Sequence, residues 1–284
     1  APEMSNACNL MIMQKSGQLV FKFSWPENQC NGEQFLTEVF NYCLAQTKES
    51  QQSLPLESHT FEPKQSLVQL LQQAFAKHAQ KPAIADVNGA ISYQSLYQKS
   101  QNLAATLQQH GIGPNQQVAV VLPGGGDFIS AILAVHFTGA CYIPIDSQYP
   151  KARIAHILQD ANANIVLSQQ SLAANIPSGY QTLWLDQQPE SSQQSDAVSS
   201  DYSTPFYTIY TSGSTGKPKG ASVSLANELN LLQWYCDEFA INANDTFLIA
   251  SATGFDLSQK NFFAALISGA TLVFADIQHY DSDA

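Results

Sequence analysis

The chain has 284 residues, 12 Lys and Arg against 23 Asp and Glu, and a net charge of −11 at pH 7. With 44% hydrophobic residues it suits one large globular domain or two smaller ones. The acidic balance excludes a general nucleic-acid or anionic-membrane binder, because both need Lys and Arg to face phosphate.

The N-terminus, "APEMSNACNL", lacks the basic and then apolar profile of a secretory signal, and no apolar run is long enough to span a bilayer, so the chain is read as cytoplasmic. Five scattered cysteines (Cys8, Cys30, Cys43, Cys141, Cys236) form no CxxC pair or Cys/His cluster and read as free thiols rather than as metal ligands. Alternation from Gln18 to Trp25 predicts strands joined at Ser16–Gly17. Phe35, Leu36, Val39, Phe40 and Cys43 then fall at helical spacing. Two strands and a helix bury too little to stand alone, so residues 1–50 read as the end of something larger.

Residues 51–65 are polar and carry prolines, the composition of a linker. A helix is predicted from Ser66, with Leu67, Leu70, Leu71, Ala74 and Phe75 on one face. "PAIAD", "AISY", "QVAVVL", "ACYIPID" and "ANIVLS" read as strands, with helices at Leu96–Gln109 and Asp127–Phe137. Such alternation predicts an α/β fold of layered, mainly parallel sheets flanked by helices, preceded by the small α+β piece at the N-terminus. A second polar stretch, 186–205, reads as a surface loop. "FYTIY" is a strand that leads into "YTSGSTGKPKG", residues 210–220.

That stretch packs three glycines, four hydroxyls and two lysines into eleven residues. Glycine lets backbone N–H groups approach an anion closely, and Thr211, Ser212, Ser214 and Thr215 add donors. Lys217 and Lys219 add charge, so the loop reads as a phosphate cradle rather than a plain turn. It is not the G-x-x-x-x-G-K-[ST] loop: two residues separate Gly213 from Gly216, and Pro218 stands where that motif has a hydroxyl. "PGGGDF" at 123–128 lacks the last glycine of a dinucleotide fingerprint and reads as a strand-to-helix turn.

The loop resembles the signature of the adenylate-forming (AMP-binding) superfamily, and more closely that of nonribosomal peptide synthetase adenylation domains. "ISYQSL" (91–96) resembles the first core motif, with Ser95 where glutamate is usual. "FTGACYIPIDSQYP" (137–150) resembles the second, with Thr138 in place of lysine, and "FDLS" (255–258) the motif that opens the amino-acid pocket. Leu225 stands where a histidine is common. The resemblance implies a condensation-domain end at 1–50, a linker at 51–65 and the first part of an adenylation domain at 66–284. It implies that Thr211, Ser212, Gly213, Ser214, Thr215, Gly216, Lys217 and Lys219 hold the ATP phosphates, and that Asp256 takes the substrate ammonium. Leu257 and Lys260 fall on pocket-lining positions.

For Asp256 a helix cap is the plain alternative, and for Lys260 a helical ion pair with Asp256. The cofactors implied are ATP, Mg²⁺ and a phosphopantetheine on a separate carrier domain. The partners are an amino acid and the carrier and condensation domains, without nucleic acid or membrane. The catalytic lysine of the family is expected beyond residue 284, so no catalytic residue is assigned and the chain is read as an incomplete fragment. A stand-alone acyl- or aryl-CoA ligase and a non-catalytic interaction module are the alternatives.

Overall fold

The computed structural model describes residues 9–15, 18–24, 63, 65–187, 197–198, 200–212, 218–249 and 251–274. Two units divide the chain, Ala1–Thr60 and Phe61–Ala284. In the first, β1 (Asn9–Lys15) and β2 (Gln18–Ser24) pair antiparallel from Asn9 opposite Ser24 to Lys15 opposite Gln18. The helix expected at 32–46 lies outside the described residues.

The second unit opens with α1 (Leu67–Lys77), which Ser66 caps in both directions. Its Oγ accepts from Gln69 N–H at 3.2 Å, while Gln69 Oε1 accepts from Ser66 N–H at 3.0 Å. Leu67, Leu71, Ala74 and Phe75 form the buried face, as their spacing predicts. β3 (Pro82–Asp86) and β4 (Gly89–Ser92) make an antiparallel hairpin. α2 (Tyr93–Gln109) begins three residues before the predicted Leu96, because Ser92 Oγ accepts from Ser95 N–H at 3.1 Å and sets the cap there. Ser95 thus takes part in the cap where the family pattern has glutamate.

β5 (Gln117–Val121), β6 (Cys141–Ile145), β7 (Ile165–Ser168), β8 (Thr182–Trp184) and β9 (Pro205–Ser212) run parallel, and β10 (Pro218–Ser224) turns back antiparallel on β9. Their order across the sheet is β10-β9-β6-β5-β7-β8. A second sheet has the order β11-β12-β3-β4, where β11 (Thr246–Ile249) and β12 (Thr271–Phe274) run parallel to each other and β12 parallel to β3. The mainly parallel α/β expectation holds. β10, α4 (Lys151–Asp160) and α5 (Leu225–Glu238) were not anticipated.

The strands show why both faces of the larger sheet are covered. Val118 and Val120 enter one core while Ala119 and Val121 enter another, the period-two alternation of a sheet buried on both sides. α4 covers the second face with Ile154, Ile157 and Leu158. α3 (Gly126–Phe137) is apolar nearly all round and is buried along almost its whole length among β3, β5, β6 and α2. Its first turn lies at "PGGGDF", where Gly126 N–H donates to Asp86 Oδ2 at 2.8 Å. A carboxylate of the protein itself satisfies that helix end, which suits the turn reading and not a phosphate site. Thr138, the departure in the second motif, is fully buried and donates to Val135 O at 2.7 Å, closing the last turn of α3.

α6 (Asp256–Ser268) packs on α1 and α5, and its end ties distant parts of the unit together. Lys81 Nζ donates to Gly269 O at 2.8 Å, Tyr93 Oη to Ala270 O at 2.6 Å, and Thr271 Oγ1 to Pro82 O at 2.9 Å.

Candidate active site

The predicted cradle is the connection of an antiparallel hairpin. Thr211 lies opposite Lys219, and Ser212 opposite Pro218, so residues 213–217 join two strands locked in register. Gly213, Ser214, Thr215, Gly216 and Lys217 themselves lie outside the described residues. Thr211 and Lys219 are exposed at the hairpin's end. β9 delivers them at the carboxyl end of the parallel strands, the edge where open α/β sheets bind ligands. Gly220, next along β10, is held against the Tyr210 ring, where an added Cβ would come within 3.0 Å.

A second loop reaches the same edge. Residues 251–255, between β11 and α6, pass over the end of β6: a Cβ on Gly254 would sit 3.5 Å from Pro144 O and 4.0 Å from Asp146 N. Gln259, fully buried, holds this loop. Its Nε2 donates to Thr253 O at 2.7 Å and Phe255 O at 3.0 Å, while its Oε1 accepts from Tyr142 Oη of β6 at 2.9 Å. Ser258 Oγ adds a bond to Ala252 O at 3.0 Å. Gln259 was missed in the sequence, where a glutamine in "LSQKNFF" carries no signal of its role.

This network presents Asp256 as the first residue of α6, with its carboxylate exposed. The cap position falls on Phe255, which makes no side-chain cap bond, so Asp256 is not the cap. It does accept from Leu257 N–H at 2.8 Å, and the positive end of the helix favours its charge. Asp256 also acts electrostatically on Tyr207 of β9, whose hydroxyl is held far above its usual range, first by burial and then by the carboxylates of Glu228 and Asp256. Asp256 thus follows a loop that passes over the end of β6, and β6 is the sheet neighbour of β9, the strand that carries Thr211.

Leu257 is exposed beside Asp256. Lys260 makes no ion pair with Asp256: its Nζ donates to Leu257 O at 3.2 Å and Asn261 Oδ1 at 3.3 Å, 4.9 Å from the centre of the Tyr235 ring. Among the described residues the ion pair is Lys99–Asp127, remote from this group in sequence. Leu225, in the place of the common histidine, is 3% exposed and anchors the start of α5 in the core. A cavity of about 530 Å³ opens nearby among Asp86, Gly124, Asp146, Ser251, Thr253 and Phe274, and none of the described predicted site residues lines it.

Cys141 is buried and Cys236 half-buried, both as free thiols; burial raises both, Cys141 up to about 11, so neither cysteine is poised as a nucleophile. Among the described residues, no helix is long and apolar enough to cross a membrane, and no group of three or more His, Cys, Asp or Glu could hold a metal ion.

Residues 71–284 match the model of the family described as AMP-binding enzyme. The chain is 33% identical over 227 residues to tyrocidine synthase 3 of Brevibacillus parabrevis, covering 77% of this chain and 4% of that protein. It is 31% identical over 252 residues to a dimodular nonribosomal peptide synthase of Bacillus subtilis (strain 168), covering 86% of this chain and 11% of that one. The chain thus spans a small part of the curated relatives it matches. Among solved structures, an artificially fused adenylation-PCP di-domain, NpsA-ThdA from Klebsiella oxytoca, superposes with a TM-score of 0.68 at 23% identity, over 76% of this chain and 44% of that one. The AMPPNP-bound peptide synthetase FmoA3 gives a TM-score of 0.70 at 24% identity, over 94% of this chain and 31% of that chain. With its layered parallel sheets, its glycine- and hydroxyl-rich hairpin and that family match, the chain belongs to the AMP-binding enzyme family.

Proposed function

We propose that this chain is part of an adenylation domain that activates an amino acid with ATP, within a longer peptide synthetase. The observation that carries the reading is that Thr211 and Lys219, at the paired ends of β9 and β10, and the 251–255 loop stand at one sheet edge. The hairpin 211–219 offers donors and charge, and the 251–255 loop presents Asp256. The carboxylate oxygen of the amino acid attacks the α-phosphorus. The bond from that phosphorus to the β-phosphate oxygen breaks, giving aminoacyl-adenylate and pyrophosphate. Thr211, Ser212, Gly213, Ser214, Thr215, Gly216, Lys217 and Lys219 hold the β- and γ-phosphates and stabilise charge on the departing group.

Asp256 accepts hydrogen bonds from the α-ammonium and so selects amino acids over simple carboxylic acids. Leu257 and Lys260 face the substrate side chain. Mg²⁺, held mainly by the nucleotide phosphates, would supply charge neutralisation there. A phosphopantetheine on a carrier domain would supply the thiol that accepts the acyl group, with AMP as the leaving group. Residues 1–50 are the end of a condensation domain in the same synthetase, and 51–65 the linker. The peptide synthetases among the relatives support this reading over a stand-alone CoA ligase.

The test is amino-acid-dependent ATP–pyrophosphate exchange in the intact protein. The double variant Lys217→Ala/Lys219→Ala should lose at least about tenfold in exchange. Asp256→Ala should impair an amino acid far more than its deaminated analogue. Exchange by the double variant equal to wild type, or equal losses for the two acids, would sink the assignment.

A further inference from the structure

α5 is an amphipathic helix whose buried face carries Leu225, Leu229 and Leu232, and an acid on the same stripe, Glu228. Glu228 is 0% exposed, and neither carboxylate oxygen completes a hydrogen bond of ordinary geometry. Burying a carboxylate with so little hydrogen bonding is unfavourable enough that its presence calls for a reason. Three groups interact with it. Tyr207 approaches it from β9 and Tyr142 feels its charge from β6. Lys260 acts on it from α6, and Asp256 of the same helix shares Tyr207 with it.

Lys260 is the cation of the set. Its Nζ lies over the Tyr235 ring, and Tyr235 follows Glu228 on α5 by seven residues, two turns along one face. The lysine of the candidate side-chain pocket therefore lies against the face of α5 that buries the acid.

We infer that Glu228 is a specificity-determining residue that acts through Lys260: its buried carboxylate offsets the lysine's charge and so decides whether the pocket takes an acidic or an uncharged amino-acid side chain. This rests on the adenylation reading for the meaning of the pocket. Glu228 occupies a positioning role, since it touches no substrate. With Glu228 ionised, the pair is neutral as a whole and an uncharged side chain is preferred. With Glu228 protonated, Lys260 is an uncompensated cation at the pocket and attracts a carboxylate. Burial pushes the Glu228 carboxyl up to about 7, against the partial opposition of Lys260 and Tyr207, so the change falls in the neutral range.

The experiment compares wild type with Glu228→Gln in the intact protein, between pH 6 and pH 8.5. The first readout is the exchange-rate ratio for aspartate over asparagine and for glutamate over glutamine. The second is the rate at which Lys260 is acylated by a water-soluble ester, followed by peptide mass spectrometry. In wild type the acid-to-amide ratio should fall as pH rises through 7. In Glu228→Gln it should stay flat and exceed wild type by about tenfold at pH 8. Acylation of Lys260 at pH 8 should be several-fold faster in Glu228→Gln than in wild type.

Glu228→Asp should restore part of both behaviours, which a filler of volume would not do. Equal acylation rates, or ratios that neither Glu228→Gln nor pH moves, would overturn the inference. A wild-type protein with no exchange for any amino acid would overturn the adenylation reading instead. The acylation comparison then still decides whether Glu228 and Lys260 are coupled.

Discussion

Replacing Gln259 by leucine tests whether the loop that presents Asp256 is held by one buried amide. The substitution keeps a side chain of similar volume and removes its donors and acceptor. Three partners lose a bond: Tyr142 Oη, Thr253 O and Phe255 O. The bond to Phe255 O is only partly buried, so that carbonyl regains water. Tyr142 is fully buried and Thr253 nearly so, and these two stay unsatisfied. Each such group costs about 1–3 kcal/mol, partly offset by burying leucine instead of an amide, so the net loss is about 3 kcal/mol.

Urea unfolding should show a lower midpoint at unchanged slope. Tyr142→Phe combined with Gln259→Leu should lose less than the sum of the two, with a coupling of about 1 kcal/mol or more. In the intact protein the amino-acid KM should rise as the Asp256 turn loosens. A loss below about 0.5 kcal/mol with additive double-variant energies would refute the reasoning.

Gly269 ends α6 at φ +77°, and a Cβ there would come within 2.4 Å of His78 Cδ2. Gly269→Ala should therefore cost about 1–2 kcal/mol from backbone strain alone, with more from the clash, read as a lower melting temperature. Adding His78→Ala should recover only the clash component. The raised Glu228 carboxyl keeps its proton in the folded state between pH 4.5 and about 7, where the unfolded chain releases it. Stability should then fall by about 3 kcal/mol as pH rises through that window, and Glu228→Gln should flatten the slope seen in urea midpoints. His136 behaves oppositely: buried with Nε2 unpartnered, its pKa falls to about 4, so stability is lost as pH drops from 6.5 towards 4. His136→Phe should reduce that acid-side loss.

Helices with a clear apolar stripe were legible, and α1 keeps the face that Leu67, Leu71, Ala74 and Phe75 predict. The parallel strands were legible as continuous apolar runs, because both of their faces are buried. β10 was not, since "PKGASVS" is largely exposed and is a strand only through its pairing with β9. For the candidate site, the hairpin loop and Asp256 could be found by motif, because their chemistry demands particular residue types in order. Gln259 and Glu228 could not. A polar residue in an apolar stretch reads as a surface position until the partner element is known, and Tyr142 lies 117 residues from Gln259. The one sequence trace is that Glu228 sits three residues after Leu225 and four before Leu232, on the apolar stripe of its own helix.

The four-stranded sheet has a consequence for how the chain comes off the ribosome. β3 and β4 are made early, but β3 takes its parallel neighbour from β12, and Lys81 finds Gly269 across 188 residues. At about 5–20 residues per second, that interval lasts on the order of 10–40 s. Throughout it, β3 carries an unpaired edge, and the apolar face of α1 waits for α6. Closing so long a loop also slows the search for the partner once it has emerged. The earliest-synthesised part of this unit is thus among the last to be fixed. A nascent chain halted short of Thr271 offers a sticky strand edge to chaperones, proteases and other copies of itself.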